Sequence, residues 1–276
     1  MQSSRKLCKS YASSVCKHVQ SAQVFPIHQG VFMSLTANPL YRDAAQQFKQ
    51  HIKPLLLIAL LSAFVTVLLL KTFLPSTDPL SEFLQNGEST NSLFAMLRDM
   101  SDDQRDVLMH ISAVMTFSAL IGNTLLVGGV LKYLSATSQN LPTSAVRAIG
   151  ASAPVWPRLL IQTFLLTTIV QLGFYVLVVP GIILMVLFSL SPVLLLEKDR
   201  GLLKTMKQSV PLVWKNIRLI APAVIAWFVV RIALTFIFGT FGLMPSSIIL
   251  LVSNVLAHLT SALLLVYLYR AAAQIR

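Results

Sequence analysis

The chain has 276 residues, of which 55% are hydrophobic and only 12% are charged, and its mean hydropathy is +0.72. Soluble domains carry about 25% charged residues, so this composition excludes an ordinary soluble protein and indicates a multi-pass membrane protein. The net charge of +12 is spread over the ends of apolar segments, which excludes a nucleic-acid-binding module. Cys8 and Cys16 lie outside every apolar run and provide no disulfide framework or redox site.

Residues 1–32 form an extension that differs from the rest of the chain. They include four basic residues, no acidic residue and no apolar stretch long enough for a cleavable signal peptide. Three interpretations compete: a disordered cytoplasmic tail, a serine-rich basic targeting peptide, or a translation-start artefact with Met33 as the natural beginning. The last is favoured, and residues 33–276 then form a single membrane domain.

Six apolar segments are long enough to cross a bilayer as helices, which takes about 20 residues. They are 54–74, 111–134, 159–179, 181–196, 217–240 and 246–269. The third and fourth divide one uncharged run, 159–196, which as a single helix would be nearly twice as long as the bilayer is thick. Val179-Pro180-Gly181 predicts the turn between them, because proline lacks a backbone donor and glycine accepts a left-handed conformation.

Lysine and arginine residues predict the orientation, because loops rich in them stay in the cytoplasm. With both termini inside, only Lys71, Arg98 and Arg105 lie outside. The outer loop 75–110 also receives most of the acidic residues, from Asp78 to Asp106. The sequence therefore predicts an all-α, six-helix multi-pass bundle with both ends in the cytoplasm.

A short amphipathic segment precedes each outward span. In the first, Tyr41, Ala44 and Phe48 share one helical face, while Arg42 and Lys49 lie on the other. Segments near 146–153 and 203–213 repeat the pattern, which predicts three units of interfacial helix plus transmembrane hairpin. Chance similarity among apolar sequences is the alternative.

Basic side chains on these segments are the predicted contacts to anionic lipid headgroups. They are Lys49, Lys53, Arg147, Lys204 and Lys207. The predicted partners are thus the lipid bilayer and its anionic lipids. The sequence names no protein partner.

The sequence contains no zinc-protease, phosphate-loop, serine-elbow or cysteine-histidine metal motif. We therefore predict no catalytic residue, no cofactor and no metal site. Ser152 misses the serine elbow at its last glycine. The outer aspartates lack the spacing of a calcium loop. Ser101 and Gln104 are instead typical of a capping box, in which Asp102 and Asp103 complement the dipole of the helix leading into the second span.

Arg231 lies deep inside the fifth span, where a charge costs about 2.5 kcal/mol or more. Asn254, His258 and Ser261 recur at helical spacing in the sixth span and form a polar stripe that Arg231 can face. These four residues are the candidate polar intramembrane site. The alternatives are snorkelling of Arg231 to the nearer headgroups and ordinary interhelical hydrogen bonding by the stripe.

Five motifs are distinctive together. They are LYRD at 40–43, TFSALIGN at 116–123, RAIGASAP at 147–154, VVPGII at 178–183 and WKNIRLIAPAV at 214–224. Over residues 33–276 the chain resembles the YciC-like family of uncharacterised inner-membrane proteins of Gram-negative bacteria. The resemblance implies a bacterial inner-membrane location and supplies no catalytic residues. Family members begin at the position of Met33, so the extension departs from the family pattern.

The first functional hypothesis is a non-catalytic membrane-organising or accessory protein, because amphipathic segments recur and catalytic motifs are missing. The second is a transporter or channel with a polar route between the fifth and sixth spans, lined by Arg231 and the stripe. A third is an integral-membrane enzyme acting on lipid, which would need an acid and a histidine converging on Ser152.

Overall fold

The computed structural model describes residues 37–74, 102–197, 201–240 and 246–275. The predicted extension 1–32 lies outside these residues, as do residues 75–101 of the predicted outer loop, which include the predicted capping residue Ser101.

All regular secondary structure in the described ranges is helical. Ten α-helices follow one another: α1 Ala37–Gln50, α2 Ile52–Phe73, α3 Asp102–Ser138, α4 Ala145–Ser152, α5 Trp156–Val176, α6 Val178–Phe188, α7 Ser191–Glu197, α8 Leu202–Lys215, α9 Ile217–Thr240 and α10 Ser246–Ile275. A short 3-10 turn, Ala153–Val155, joins α4 to α5.

Six helical segments of the described chain are long and apolar enough to cross a membrane. They are Ile52–Phe73, Arg105–Ser138, Ala145–Val176, Val178–Leu196, Ile217–Phe238 and Ile248–Ile275. The fourth consists of α6 and α7, which separate at Ser189 and Leu190 because Pro192 has no N–H to donate to the carbonyl of Phe188. The predicted all-α class with six membrane helices is confirmed for the part of the chain that the structure describes.

The second span is formed by α3, which is much longer than a bilayer is thick. Its 37 residues extend over about 55 Å, against about 30 Å of hydrocarbon. Near one end, His110 Nε2 lies 3.3 Å from the carbonyl oxygen of Phe73, which ties α3 to the last turn of α2. After the other end, Asn140 takes a left-handed conformation (φ 56°) and stops the helix.

The chain breaks between α5 and α6 at Leu177, and the predicted turn at Val179-Pro180-Gly181 is too late. Leu177 has an extended backbone (φ −165°, ψ 152°). Pro180 is the third residue of α6. A backbone N–H in this first turn has no acceptor within the helix, so proline, which lacks the N–H, costs no hydrogen bond there. Gly181 allows close packing of α6 on α5 and does not form a turn. A Cβ added to Gly173 of α5 would lie 3.0 Å from the Cα of Gly181.

Small residues let α2 and α3 pack closely. A Cβ added to Gly122 would collide with Thr66, and one added to Gly129 would stand 3.0 Å from Ile58 Cγ2. The buried hydroxyl of Thr66 donates to the carbonyl of Ser62 at 2.9 Å, so it needs no water in the membrane. Such small-residue faces are typical of helix packing in bilayers, where no hydrophobic effect drives helices together.

The three short helices α1, α4 and α8 each precede a span and bury one face. Helix α1 packs against α10, α4 packs against α3, and α8 packs against α6 and α7. The buried residues are Leu40, Ala44 and Gln47 of α1, Ala145, Ala148 and Ser152 of α4, and Thr205, Met206, Ser209 and Val213 of α8. The short helices are therefore parts of the bundle, each with an opposite face left uncovered.

Candidate functional site

The basic residues predicted to contact headgroups are all exposed. Lys49 and Lys53 flank the junction of α1 and α2, Arg147 lies on α4, and Lys204 and Lys207 lie on α8. The other face of each short helix is held against the spans. Consequently the cations occupy the face that stays free for a charged surface.

Arg231 makes its contact within α9. Its guanidinium carbon lies 5.9 Å from the ring centroid of Trp227, one helical turn earlier, which is within cation–π range. Trp227 Nε1 in turn donates to Ser261 Oγ of α10 at 3.2 Å. The structure thus links two of the four candidate residues through Trp227, whose position four residues before Arg231 was the signal available in the sequence.

The remaining stripe residues behave differently from Ser261. Asn254 Nδ2 donates to the carbonyl of Leu250 in its own helix at 2.8 Å. His258 is only 4% exposed, and its Nδ1 has no hydrogen-bond partner among the described residues. Of the stripe, Ser261 therefore bonds across to α9, whereas Asn254 is satisfied locally.

Two cavities share Trp227 as a wall. A central cavity of about 350 Å³ lies among α3, α5, α6, α9 and α10, and Asn123, Gln171 and Ser261 contribute polar groups to its lining. A groove of about 250 Å³ lies among α1, α9 and α10. Trp227 and Leu264 line both spaces, so these two side chains separate the groove from the central cavity. Arg231, Asn254 and His258 line neither of them.

One end of the groove is lined by a tyrosine pair whose contacts sequence reasoning missed. The rings of Tyr41 and Tyr267 stack with centroids 4.8 Å apart. Tyr267 Oη donates to the carbonyl of Leu219 at 2.8 Å, which fixes α10 to the start of α9. Arg270 Nε donates to Gln47 Oε1 across 223 residues of sequence. These contacts hold α1 against α10 and α10 against α9.

Gln162 is a second polar residue that sequence reasoning missed. It lies fully buried in α5, donates through Nε2 to Ser191 Oγ of α7, and leaves Oε1 without a partner among the described residues. Its only signal in the sequence was a single amide side chain within an apolar span, and such a residue ordinarily forms a hydrogen bond between helices.

Six apolar helices, entered through short amphipathic helices with exposed cations, define a multi-pass helical membrane protein. The chain matches the family described as "Uncharacterised protein family (UPF0259)" over residues 33–274 and belongs to it. A UPF0259 membrane protein of Yersinia pestis (strain Pestoides F) is 42% identical over 243 residues, covering 86% of this chain and 95% of the relative. The relative from Yersinia pseudotuberculosis serotype O:3 (strain YPIII) gives the same values. No solved structure matches the chain.

Proposed function

We propose that the protein is a non-catalytic accessory protein of the bacterial inner membrane, which organises the bilayer by binding anionic lipid with its short helices. This proposal rests on the exposure of the basic residues on α1, α4 and α8. The opposite face of each of these helices packs against the spans. Helices of this kind lie at the headgroup level with cations toward anionic lipid. The YciC-like resemblance supports the inner membrane as the compartment.

The proposal includes the threefold architecture. In the first unit α1 precedes the hairpin of α2 and α3, and in the second α4 precedes α5 and the α6–α7 span. In the third α8 precedes α9 and α10. The recurrence of a short half-buried helix before every hairpin supports a repeat and leaves the three basic faces on the same side of the bundle, which we place in the cytoplasm with both termini.

A transporter or channel between the fifth and sixth spans has less support. Asn254 bonds to its own helix, and only Ser261 of the predicted route lines the central cavity. A lipid-acting enzyme built on Ser152 is also less well supported. That hydroxyl is buried, donates to the carbonyl of Ile149 at 2.7 Å and accepts from Trp156 Nε1 at 2.7 Å.

The orientation predicts a labelling pattern in intact cells. In a chain without native cysteines, Thr72→Cys at the outer end of α2 is expected to react with a membrane-impermeant maleimide. Gln139→Cys, exposed after α3, is expected to react only once the inner membrane is permeabilised. Extent of labelling, read by gel shift, is the measurement. The reverse pattern would place both termini outside and contradict the proposal.

The lipid preference predicts an effect of charge on α8. Trp214 is 63% exposed on the same helix and reports nearby lipid in a Trp156→Phe/Trp227→Phe background. In mixed bilayers, brominated phosphatidylglycerol should quench it more than brominated phosphatidylcholine. Because a cation near an anionic surface contributes about 1 kcal/mol, Lys204→Ala/Lys207→Ala should weaken the preference by up to about 2 kcal/mol.

A matched pair of charges at the outer ends serves as the control for this measurement. Lys71→Ala/Arg105→Ala removes the same charge from exposed positions remote from α8 and should leave the quenching preference intact. If both double variants retain the wild-type preference, the lipid part of the proposed function is wrong.

A further inference from the structure

The groove among α1, α9 and α10 has the properties of a binding site for one hydrocarbon chain. Four of its lining residues are alanines, Ala44, Ala45, Ala223 and Ala226, so its space arises from short side chains on two facing helices. From Ala223 to Val230 it follows α9 for about 10 Å.

The two ends of the groove differ in chemistry. Val230 lies at the end that is deeper in the span, and Trp227, held by Ser261, forms part of the wall. The stacked pair Tyr41 and Tyr267 marks the inner end, as expected for aromatic rings at the headgroup level. The groove therefore has polar groups at its inner end and apolar residues along its length, which matches the headgroup and acyl chain of a phospholipid.

Three exposed arginines lie close in the sequence to residues at the inner end. Arg42 follows Tyr41, Arg270 lies one turn after Tyr267, and Arg218 precedes Leu219, whose carbonyl accepts from Tyr267. Arg270 donates through its Nε to Gln47 Oε1. Asp43 is the only carboxylate on α1, so positive charge prevails at this end.

We propose that the groove binds one anionic phospholipid, with an acyl chain along the alanines and the phosphate at Arg42, Arg218 and Arg270. Guanidinium groups bind phosphate through paired hydrogen bonds, which accounts for arginine rather than lysine at all three positions. This site is separate from the exposed lysines of α8 and goes beyond the proposed function, since it holds a single lipid in a fixed place.

The test is a titration of the detergent-purified protein with dioleoyl phosphatidylglycerol or dioleoyl phosphatidylcholine, followed by native mass spectrometry. Wild-type protein should retain one phosphatidylglycerol more tightly than phosphatidylcholine. Arg42→Gln/Arg218→Gln should weaken phosphatidylglycerol binding about tenfold or more, because charge-assisted hydrogen bonds to phosphate are lost. Ala226→Leu, which fills the groove, should weaken both lipids.

Matched controls separate this site from the interfacial lysines. Ala233 lies two turns after Ala226 on the same face of α9 and outside the groove, so Ala233→Leu should bind as wild type. Lys204→Ala/Lys207→Ala should also retain the tightly bound lipid, even if the surface preference is lost. Should Ala226→Leu fail to fold, Ala45→Leu fills the same groove from α1.

Three outcomes would overturn the inference. Unchanged phosphatidylglycerol binding by both groove-filling variants would show that no chain lies there. An unchanged preference in Arg42→Gln/Arg218→Gln would show that the arginines do not hold the phosphate. A wild-type dimer that becomes monomeric in Ala226→Leu would assign the groove to a second copy of this chain.

Discussion

A leucine in place of Gly173 is expected to lower the free energy of unfolding by about 3 kcal/mol, because it separates α5 from α6. A Cβ added at Gly173 would lie 3.0 Å from the Cα and 3.2 Å from the N of Gly181. Backbone atoms cannot rotate away as the end of a flexible side chain can. The hairpin of the third and fourth spans must therefore open to admit the larger residue.

Thermal unfolding of the purified protein, followed by circular dichroism, measures this effect. Gly150→Ala is the matched control, because a Cβ added there meets nothing within 4 Å. Alanine favours a helix by about 1 kcal/mol over glycine, so this control should melt at or above the wild-type temperature. A Gly173→Leu protein that melts with the wild type would show that α5 and α6 do not approach each other as described.

Replacing Arg231 by leucine is expected to stabilise the folded protein in a bilayer by about 2 kcal/mol. In the dodecyl sulfate-unfolded state Arg231 can reach the micelle surface, whereas in the folded bundle it is held within the span at a cost of about 3 kcal/mol. The lost cation–π contact with Trp227 offsets about 1 kcal/mol of that gain. The described residues of α9 and α10 contain no carboxylate that would suffer from losing its partner. A residue that lowers stability in this way is retained for another reason, which makes Arg231 a functional candidate.

Equilibrium unfolding in bicelles by added dodecyl sulfate gives the free energies for this comparison. Arg231→Lys keeps the charge but loses the planar stacking on Trp227, so it should show no gain over wild type. A leucine variant less stable than wild type by 1 kcal/mol or more would reveal a strong partner for the guanidinium and contradict the expectation.

The six spans could be predicted because each is an apolar run of sufficient length, a property that a single segment carries by itself. The position of the break between α5 and α6 could not. Pro180 is equally compatible with a turn and with the first turn of a helix, and only the packing of Gly173 on Gly181 favours the second.

The candidate site could be predicted only in part, because helix periodicity gives the face of a residue but not the neighbour of that face. It placed Asn254, His258 and Ser261 on one side of α10. The residue that meets Ser261 is Trp227, an aromatic side chain in a span full of apolar ones. Likewise, nothing local to Gln47 points to Arg270, 223 residues away.

The packing of α1 on α10 has a consequence for synthesis in the cell. The ribosome delivers α1 early, but the helix that covers Leu40, Ala44 and Gln47 is the last one described. Until α10 inserts, Gln47 lacks the arginine that binds it and Tyr41 lacks its stacking ring. A nascent chain interrupted before α10 therefore displays on α1 an amide without its arginine and an uncovered apolar face.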